Sequence, residues 1–229
     1  FHEGNAKMYT DCMLMTAYPK IVKDVNQVFE FIERPYTQIR FKELLVSPNE
    51  MKNKFVTLIN NEIKNKKAGK PAYIKIKINH ITDPIMVEKL YEASEAGVDI
   101  DLVVRGNCSL ITNVPDVSTH IRIHGIVDRY LEHSRIFIFA NGGEEKIYLG
   151  SADWMPRNLD HRIEVITPVY DPAIKGEMKR IVEYGLKDTL QGRIVDGAGD
   201  NLFWSEETEE APFRSQEALY NYYLAENEQ

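Results

Sequence analysis

The chain has 229 residues, with 28 Lys and Arg against 35 Asp and Glu, a net charge of -7. A composition 43% hydrophobic and 28% charged is that of a folded chain large enough to bury a real core, which excludes disorder except at the ends. The acidic balance argues against a general nucleic-acid-binding surface but leaves room for a local basic pocket. The two cysteines, Cys12 and Cys108, make neither a disulfide framework nor a zinc spacing, which points to a reducing compartment. No apolar run is long enough to span a bilayer, and no signal peptide is evident. The chain opens on Phe1 with no initiator Met, and reads as a piece of something longer.

Tyr9 to Met15 reads as a strand, with Met13 and Met15 on one face. Residues 21–33 predict a helix through Val22, Val25, Phe29 and Ile32, ended at Arg34-Pro35-Tyr36. Leu44-Leu45-Val46 is a short buried strand. Ser47-Pro48-Asn49-Glu50 then reads as a capping box with proline at the first helical position. The helix that follows buries Met51, Phe55, Leu58, Ile59 and Ile63 and ends at Gly69. Its run of Lys64, Lys66, Lys67 and Lys70 reads as a solvated end that favours the helix dipole.

Tyr73 to Asn79 alternates, with Ile74, Ile76 and Ile78 on one face. Asp83-Pro84 starts a helix through Met86, Leu90 and Ala93, and Gly97 closes it. Val98 to Val104 is the next strand. This strand–helix–strand unit predicts a parallel crossover. Ligands of such sheets lie beyond the carboxyl ends of the strands, where Arg105 stands. Residues 106–120 form a long polar loop before a strand at Ile121 to Val127.

The stretch from Asp128 to Glu164 carries the chemistry. Ile136 to Phe139 is a buried strand, Asn141-Gly142-Gly143 a tight turn, Ile147-Tyr148-Leu149 a returning strand, and Arg162 to Val169 a third. Polar residues sit where these strands start or stop: His133, Arg135, Ser151, Asn158 and Arg162. An imidazole, guanidinium groups, a hydroxyl and an amide at one sheet edge suit an oxyanion-rich substrate. Guanidinium forks phosphate oxygens, small groups donate, and imidazole attacks phosphorus or moves a proton. Asp171-Pro172 caps a helix running to Leu190. Residues 192–214 read as irregular, and Ser215 caps a last short helix with Leu219, Tyr222 and Tyr223. The fold class is α/β, a mixed sheet with helices on both faces.

His2, His80, His124 and His161 show no chemical pattern and read as bland. His120-Ile121-Arg122 also fits His-x-Arg, but no Gly-Ser-Asn element follows it, so it reads as strand entry. Trp154 reads as a packing residue. Ser151 lacks a nucleophile elbow and reads as a donor. No glycine-rich Walker loop occurs, which excludes a P-loop kinase.

Asp128-Arg129-Tyr130-Leu131-Glu132-His133-Ser134-Arg135, Gly150-Ser151-Ala152-Asp153-Trp154-Met155 and Arg157-Asn158 resemble the last catalytic domain of the phospholipase-D-like polyphosphate kinases. Val104 to Leu110 and Lys7 to Asp11 resemble the same family, in the same order. The resemblance implies a phospholipase-D-like fold. It implies three segments: residues 1–40 as the tail of a preceding domain and its connector, 41–192 as the carboxyl-terminal catalytic domain, and 193–229 as an extension. It implies reversible transfer of the terminal phosphate of ATP to polyphosphate, with the phosphorylated histidine in the preceding domain. Tyr9, Arg105 and His133 match ATP-contacting positions, Arg162 a phosphate contact, and His133 the supporting catalytic histidine. It further implies magnesium with ligands upstream of this chain, ATP and polyphosphate as partners rather than nucleic acid, homo-oligomers, and a cytoplasmic location, peripheral association at the inner face of a bacterial membrane included. The family pattern His-x-Lys reads His-x-Arg here, and the Asp that usually follows is not evident. A phospholipase-D-like phosphodiesterase and a non-catalytic polyanion-binding module stay open as alternatives.

Overall fold

The computed structural model describes residues 2–207 and 211–227. In chain order the elements are α1 (Glu3–Ala6), β1 (Tyr9–Thr10), α2 (Pro19–Glu33), β2 (Leu45–Ser47), α3 (Met51–Lys67), β3 (Tyr73–Ile78), α4 (Pro84–Glu95) and β4 (Asp99–Val104). There follow β5 (Ile121–Ile126), β6 (Leu131–Glu132), β7 (Arg135–Phe139), β8 (Lys146–Gly150), β9 (Glu164–Val169), α5 (Pro172–Leu186), β10 (Gly192–Ile194), α6 (Trp204–Glu207) and α7 (Ser215–Asn227).

One mixed sheet runs in the order β10-β5-β4-β3-β7-β8-β9-β2. β3 and β4 are parallel, as the strand–helix–strand reading required, and β5 joins them in parallel beside β4. β7 runs antiparallel to β3, and β8 to β7. The period of two divides the residues of β7 between the faces. Phe137 and Phe139 pack with Met51, Phe55 and Ile59 of α3 and Met86 and Leu90 of α4. Ile136 and Ile138 pack on the other face with Met178 and Val182 of α5. These four of the five β7 residues are at most 1% exposed. Burial of each contributes about 1.5–3 kcal/mol, so this strand is the spine of the domain. Helices therefore cover both faces, as expected of the α/β class.

Several expectations need correction. β1 is only two residues long, and Met13 and Met15 are exposed at 59% and 84%. In α2 the buried stripe is Ile21, Asp24, Val28 and Phe31, one residue out of phase with the expected Val22, Val25, Phe29 and Ile32. The cause is Asp24. Its carboxylate accepts hydrogen bonds from the backbone N–H groups of Lys42, Glu43 and Leu44 at 2.7–3.0 Å, which turns that face inward. Ser47 caps no helix. Its hydroxyl donates to the carbonyls of Asn158 (2.7 Å) and Arg162 (2.8 Å), and α3 begins only at Met51. α5 stops at Leu186, not Leu190, and β10 and α6 lie in the stretch read as irregular.

That stretch covers His124 in the middle of β5. Trp204 stacks on its ring at 4.2 Å, with 12° between the planes. Burial, and then Arg122, push the imidazole down to about pKa 4. The unfolded chain, with an ordinary histidine near 6.5, takes up this proton first. Stability is thus untouched above about pH 6.5 and falls as pH drops from there toward 4, by at most about 1.4 kcal/mol per pH unit. In thermal denaturation, His124→Phe should keep the stack and flatten the loss of midpoint between pH 7 and 5. An equal slope in both proteins would dismiss this histidine as the cause.

Candidate active site

Strand direction assembles the site. The end of β3, the end of β4, the start of β7, the end of β8 and the start of β9 lie on one sheet edge, because Lys77 pairs with Ile136, Val104 with Ile78, Arg135 with Gly150 and Gly150 with Ile166. That edge collects Asn79, His80, Arg105, Arg135, Ser151 and Glu164. β6 adds the residue before it reaches β7, His133.

β6 pairs in parallel with β1, which sets Leu131 beside Tyr9 and Glu132 beside Thr10. The His133 N–H donates to the Thr10 carbonyl at 3.1 Å. This register places Asp11 against the imidazole, with Asp11 Oδ2 2.7 Å from His133 Nδ1. The Tyr9 ring lies 5.1 Å from the imidazole, tilted by 58°. A carboxylate on Nδ1 accepts a proton there, so the Nε2 lone pair is left for chemistry. Arg135 Nη1 donates toward that lone pair at 3.2 Å and to the His133 carbonyl at 2.8 Å. Tyr9, Asp11, His133, Arg135 and Ser151 line an open cleft of about 660 Å³.

Arg135 is a brace as much as a donor. Its guanidinium pairs with Asp153 at 3.2–3.3 Å, and both side chains are nearly buried. Asp153 Oδ1 also accepts from the backbone N–H groups of Asn79 (3.1 Å) and His80 (3.3 Å). With the Asn79 amide assigned so that its oxygen faces the guanidinium groups, its nitrogen donates to the Glu132 carbonyl (2.8 Å) and its oxygen accepts from Arg135 Nη2 (2.7 Å) and Arg105 Nη2 (3.2 Å). Arg105 is thus tied to the His133 brace through one amide. Arg162 is exposed, does not line the cleft, and makes no hydrogen bond or ion pair through its side chain among the described residues. Ser151 and Asn158 are committed within the fold: both donate to Glu164, at 2.5 and 2.7 Å. Trp154 is fully buried against Phe55 and Phe137, the packing role expected of it.

Beneath the cleft lies a buried ion pair that the sequence did not reveal. Lys77 Nζ is 2.8 Å from Glu132 Oε2, with side chains 4% and 9% exposed. Burial alone would raise the Glu132 carboxyl. Lys77, with hydrogen bonds from Gln216 and Thr10, overrides that and holds it below the usual range. Gln216 of α7 also grips both backbone polar groups of Tyr130, and Arg214 pairs with Asp128 at 2.6 Å. The final helix therefore braces β6 from behind. Asp11, Asp153, Asn79, Lys77 and Gln216 were all missed. Each is a common polar residue with a partner far away in sequence, and only Asp11 and Asp153 stood in motifs already singled out, neither with a role assigned to it.

Fold and site together describe an α/β protein with a carboxylate-oriented histidine and arginines at a sheet edge, fitted to oxyanions. The family model described as "Polyphosphate kinase C-terminal domain 2" matches residues 44–216, and "Polyphosphate kinase C-terminal domain 1" matches residues 1–38. The polyphosphate kinase of Escherichia coli K12 is 43% identical over 97% of this chain, and that of Vibrio cholerae 41% over the same share. The crystal structure of polyphosphate kinase from Porphyromonas gingivalis superposes with a TM-score of 0.93, at 42% identity over 99% of this chain. The chain belongs to the polyphosphate kinase family, and corresponds to its carboxyl-terminal region. It spans about a third of the length of these relatives, 32% of the two curated proteins and 35% of the crystallised one. Among the described residues, no helix is long and apolar enough to cross a membrane.

Proposed function

We propose that this chain works as part of a longer enzyme that reversibly transfers the terminal phosphate of ATP to inorganic polyphosphate. The observation that carries the reading is His133, oriented by Asp11 at 2.7 Å in a cleft beside Tyr9, in a chain of this family. The phosphoryl group would pass through a histidine of the preceding domain. Its bond to the β-phosphate oxygen breaks, ADP leaves, and attack by the terminal oxygen of the polyphosphate releases the histidine. His133, with Nδ1–H fixed on Asp11, can act from its doubly protonated form: Nε2, freed from Arg135 and carrying a proton taken from solvent, gives that proton to the departing oxygen and returns to the lone-pair form, which takes the proton back in the reverse direction. Tyr9, in the cleft, and Arg105 and Arg162, which stand outside its lining at the same ends of the strands, would hold phosphate oxygens of a substrate long enough to reach past the cleft. Holding atoms in line and neutralising charge are the main demands of this chemistry.

Magnesium belongs to the proposal with its protein ligands upstream of this chain. No group of three or more His, Cys, Asp or Glu is placed to hold a metal among the described residues. The division into 1–40, 41–192 and 193–229, a cytoplasmic location with peripheral association at the inner membrane face, and homo-oligomers are part of the same proposal. The test is the intact protein with ATP and magnesium, assayed for polyphosphate. Cleavage of phosphodiesters without polyphosphate synthesis would overturn the reading.

Arg105 offers a graded check. Its contact to phosphate is charge-assisted, and losing one costs about 1.5–3 kcal/mol, roughly 10- to 150-fold in affinity. Titration of the intact Arg105→Ala protein with ATP should show that loss. An unchanged dissociation constant would make Arg105 a structural partner of Asn79 alone.

A further inference from the structure

His80 showed no pattern in the sequence, yet the fold builds it into the same sheet edge. It follows the last residues of β3, and its backbone is pinned on both sides. Its N–H donates to Asp153 at 3.3 Å, and its carbonyl accepts from the Trp154 N–H at 3.1 Å. The next N–H, of Ile81, donates to the Asn107 carbonyl at 2.9 Å, and those of Thr82 and Asp83 meet the Trp154 carbonyl at 2.8 and 2.9 Å. The ring is fixed as firmly. Nδ1 accepts the backbone N–H of Asn107 at 3.0 Å. The ring also lies on Gly106, where a Cβ would come within 2.4 Å of it.

An Nδ1 that accepts from a backbone N–H carries no proton, so the ring proton stands on Nε2. The side chain is only partly buried, and no described residue accepts from Nε2. Around it lie Arg105, Arg135 and Arg157. Burial, and then these guanidinium groups against the opposing carboxylate of Asp153, lower its affinity for a second proton. Arg135 is matched by Asp153, but Arg105 and Arg157 make no ion pair among the described residues. A lone N–H donor beside two unmatched cations is a site lacking an anion.

Building on the proposed kinase reading, we propose that His80 is a positioning residue, a fixed Nε2–H donor that joins Arg105 and Arg157 in gripping a phosphate oxygen of the substrate chain. It donates without exchanging its proton, the opposite of the role given to His133. The shared chemistry is a phosphoanhydride oxygen, which ATP or the polyphosphate chain could supply.

The experiment uses the intact enzyme with His80→Ala and His80→Gln, and varies ATP and polyphosphate separately. A lost hydrogen bond from a neutral donor to a charged phosphate oxygen predicts a rise in KM of about 10-fold or more for His80→Ala, with kcat changed little. The substrate whose KM rises names the source of the oxygen. His80→Gln, which keeps an N–H donor, should recover most of the affinity. The pH profile of kcat should match the wild type in both variants. Unchanged KM values for both substrates, with His133→Ala inactive, would overturn the role of His80 alone. A displaced pH profile would overturn the fixed donor in favour of proton transfer. Equal damage in the Ala and Gln variants with a matching loss of thermal midpoint would make His80 merely structural. Failure of the wild-type protein to make polyphosphate would overturn the underlying reading, and is seen before any variant is assayed.

Discussion

Replacing His133 with alanine in the intact protein is expected to lower turnover by about 10²- to 10⁴-fold, the range of general acid–base catalysis. The fold should survive. His133 is partly exposed, and its strongest side-chain contact is to Asp11, itself at the surface of the cleft. His133→Gln should be nearly as damaged, because an amide keeps a hydrogen bond to Asp11 but exchanges no proton. A structural role predicts the reverse: Gln active, Ala with a lowered thermal midpoint. Turnover and midpoint measured on both variants separate these outcomes, and a Gln variant near wild-type turnover would end the catalytic assignment. Asp11→Asn should show a smaller loss in the same direction, since it leaves the imidazole present but no longer fixes which nitrogen holds the proton.

The second large effect is on stability. Lys77→Met leaves the Glu132 carboxylate buried with only Thr10 and Gln216 as side-chain partners. Removing one member of a buried pair costs about 3–5 kcal/mol, because the other charge is stranded. The sign of the pH dependence is a sharper check. In the wild type the Glu132 carboxyl is held low by Lys77. In the variant only the hydrogen bonds from Thr10 and Gln216 still oppose burial, and without the Lys77 charge its pKa is expected to rise above that of the unfolded chain. The folded form then gains a proton as pH falls, and the penalty shrinks. The stability deficit of Lys77→Met should be larger at pH 8 than at pH 5. Adding Glu132→Gln should recover much of it, since the stranded charge is gone. Denaturant titrations at the two pH values test this, and a deficit independent of pH would mean that lost packing, not charge, sets the cost.

Much of the sheet was legible because its strands are apolar runs of period two with clear stops. Asp83 and Asp171 announced their helices and do cap them. The phase of α2 was illegible because the buried side chain that decides it, Asp24, is charged. Its reward is a set of backbone donors nearly twenty residues away. Ser47 misled for the same reason: its best acceptors are carbonyls more than a hundred residues downstream. At the site, His133 was legible from its motif. Asp11 lay in a quoted motif, but its place against His133 was not legible, because a two-residue strand has no periodicity from which to read its pairing. His80 was passed over because its significance lies in the loop that covers its Nδ1 and in the guanidinium groups about it, none of which adjoins it in sequence.

The pairing of β1 with β6 carries a consequence for how such proteins can recombine. The segment that matches one domain description supplies Tyr9 and Asp11, and the segment that matches the other supplies His133. A chimera of two relatives joined near residue 40 would inherit its imidazole from one parent and the carboxylate that orients it from the other. The sheet, whose strands all come from the second parent, would assemble regardless. Such a hybrid could pass every test of folding and still fail at the seam, unless both parents agree on Tyr9, Thr10 and Asp11 facing Leu131, Glu132 and His133. The unit of inheritance for this chemistry is therefore the six-residue junction, which neither domain contains by itself.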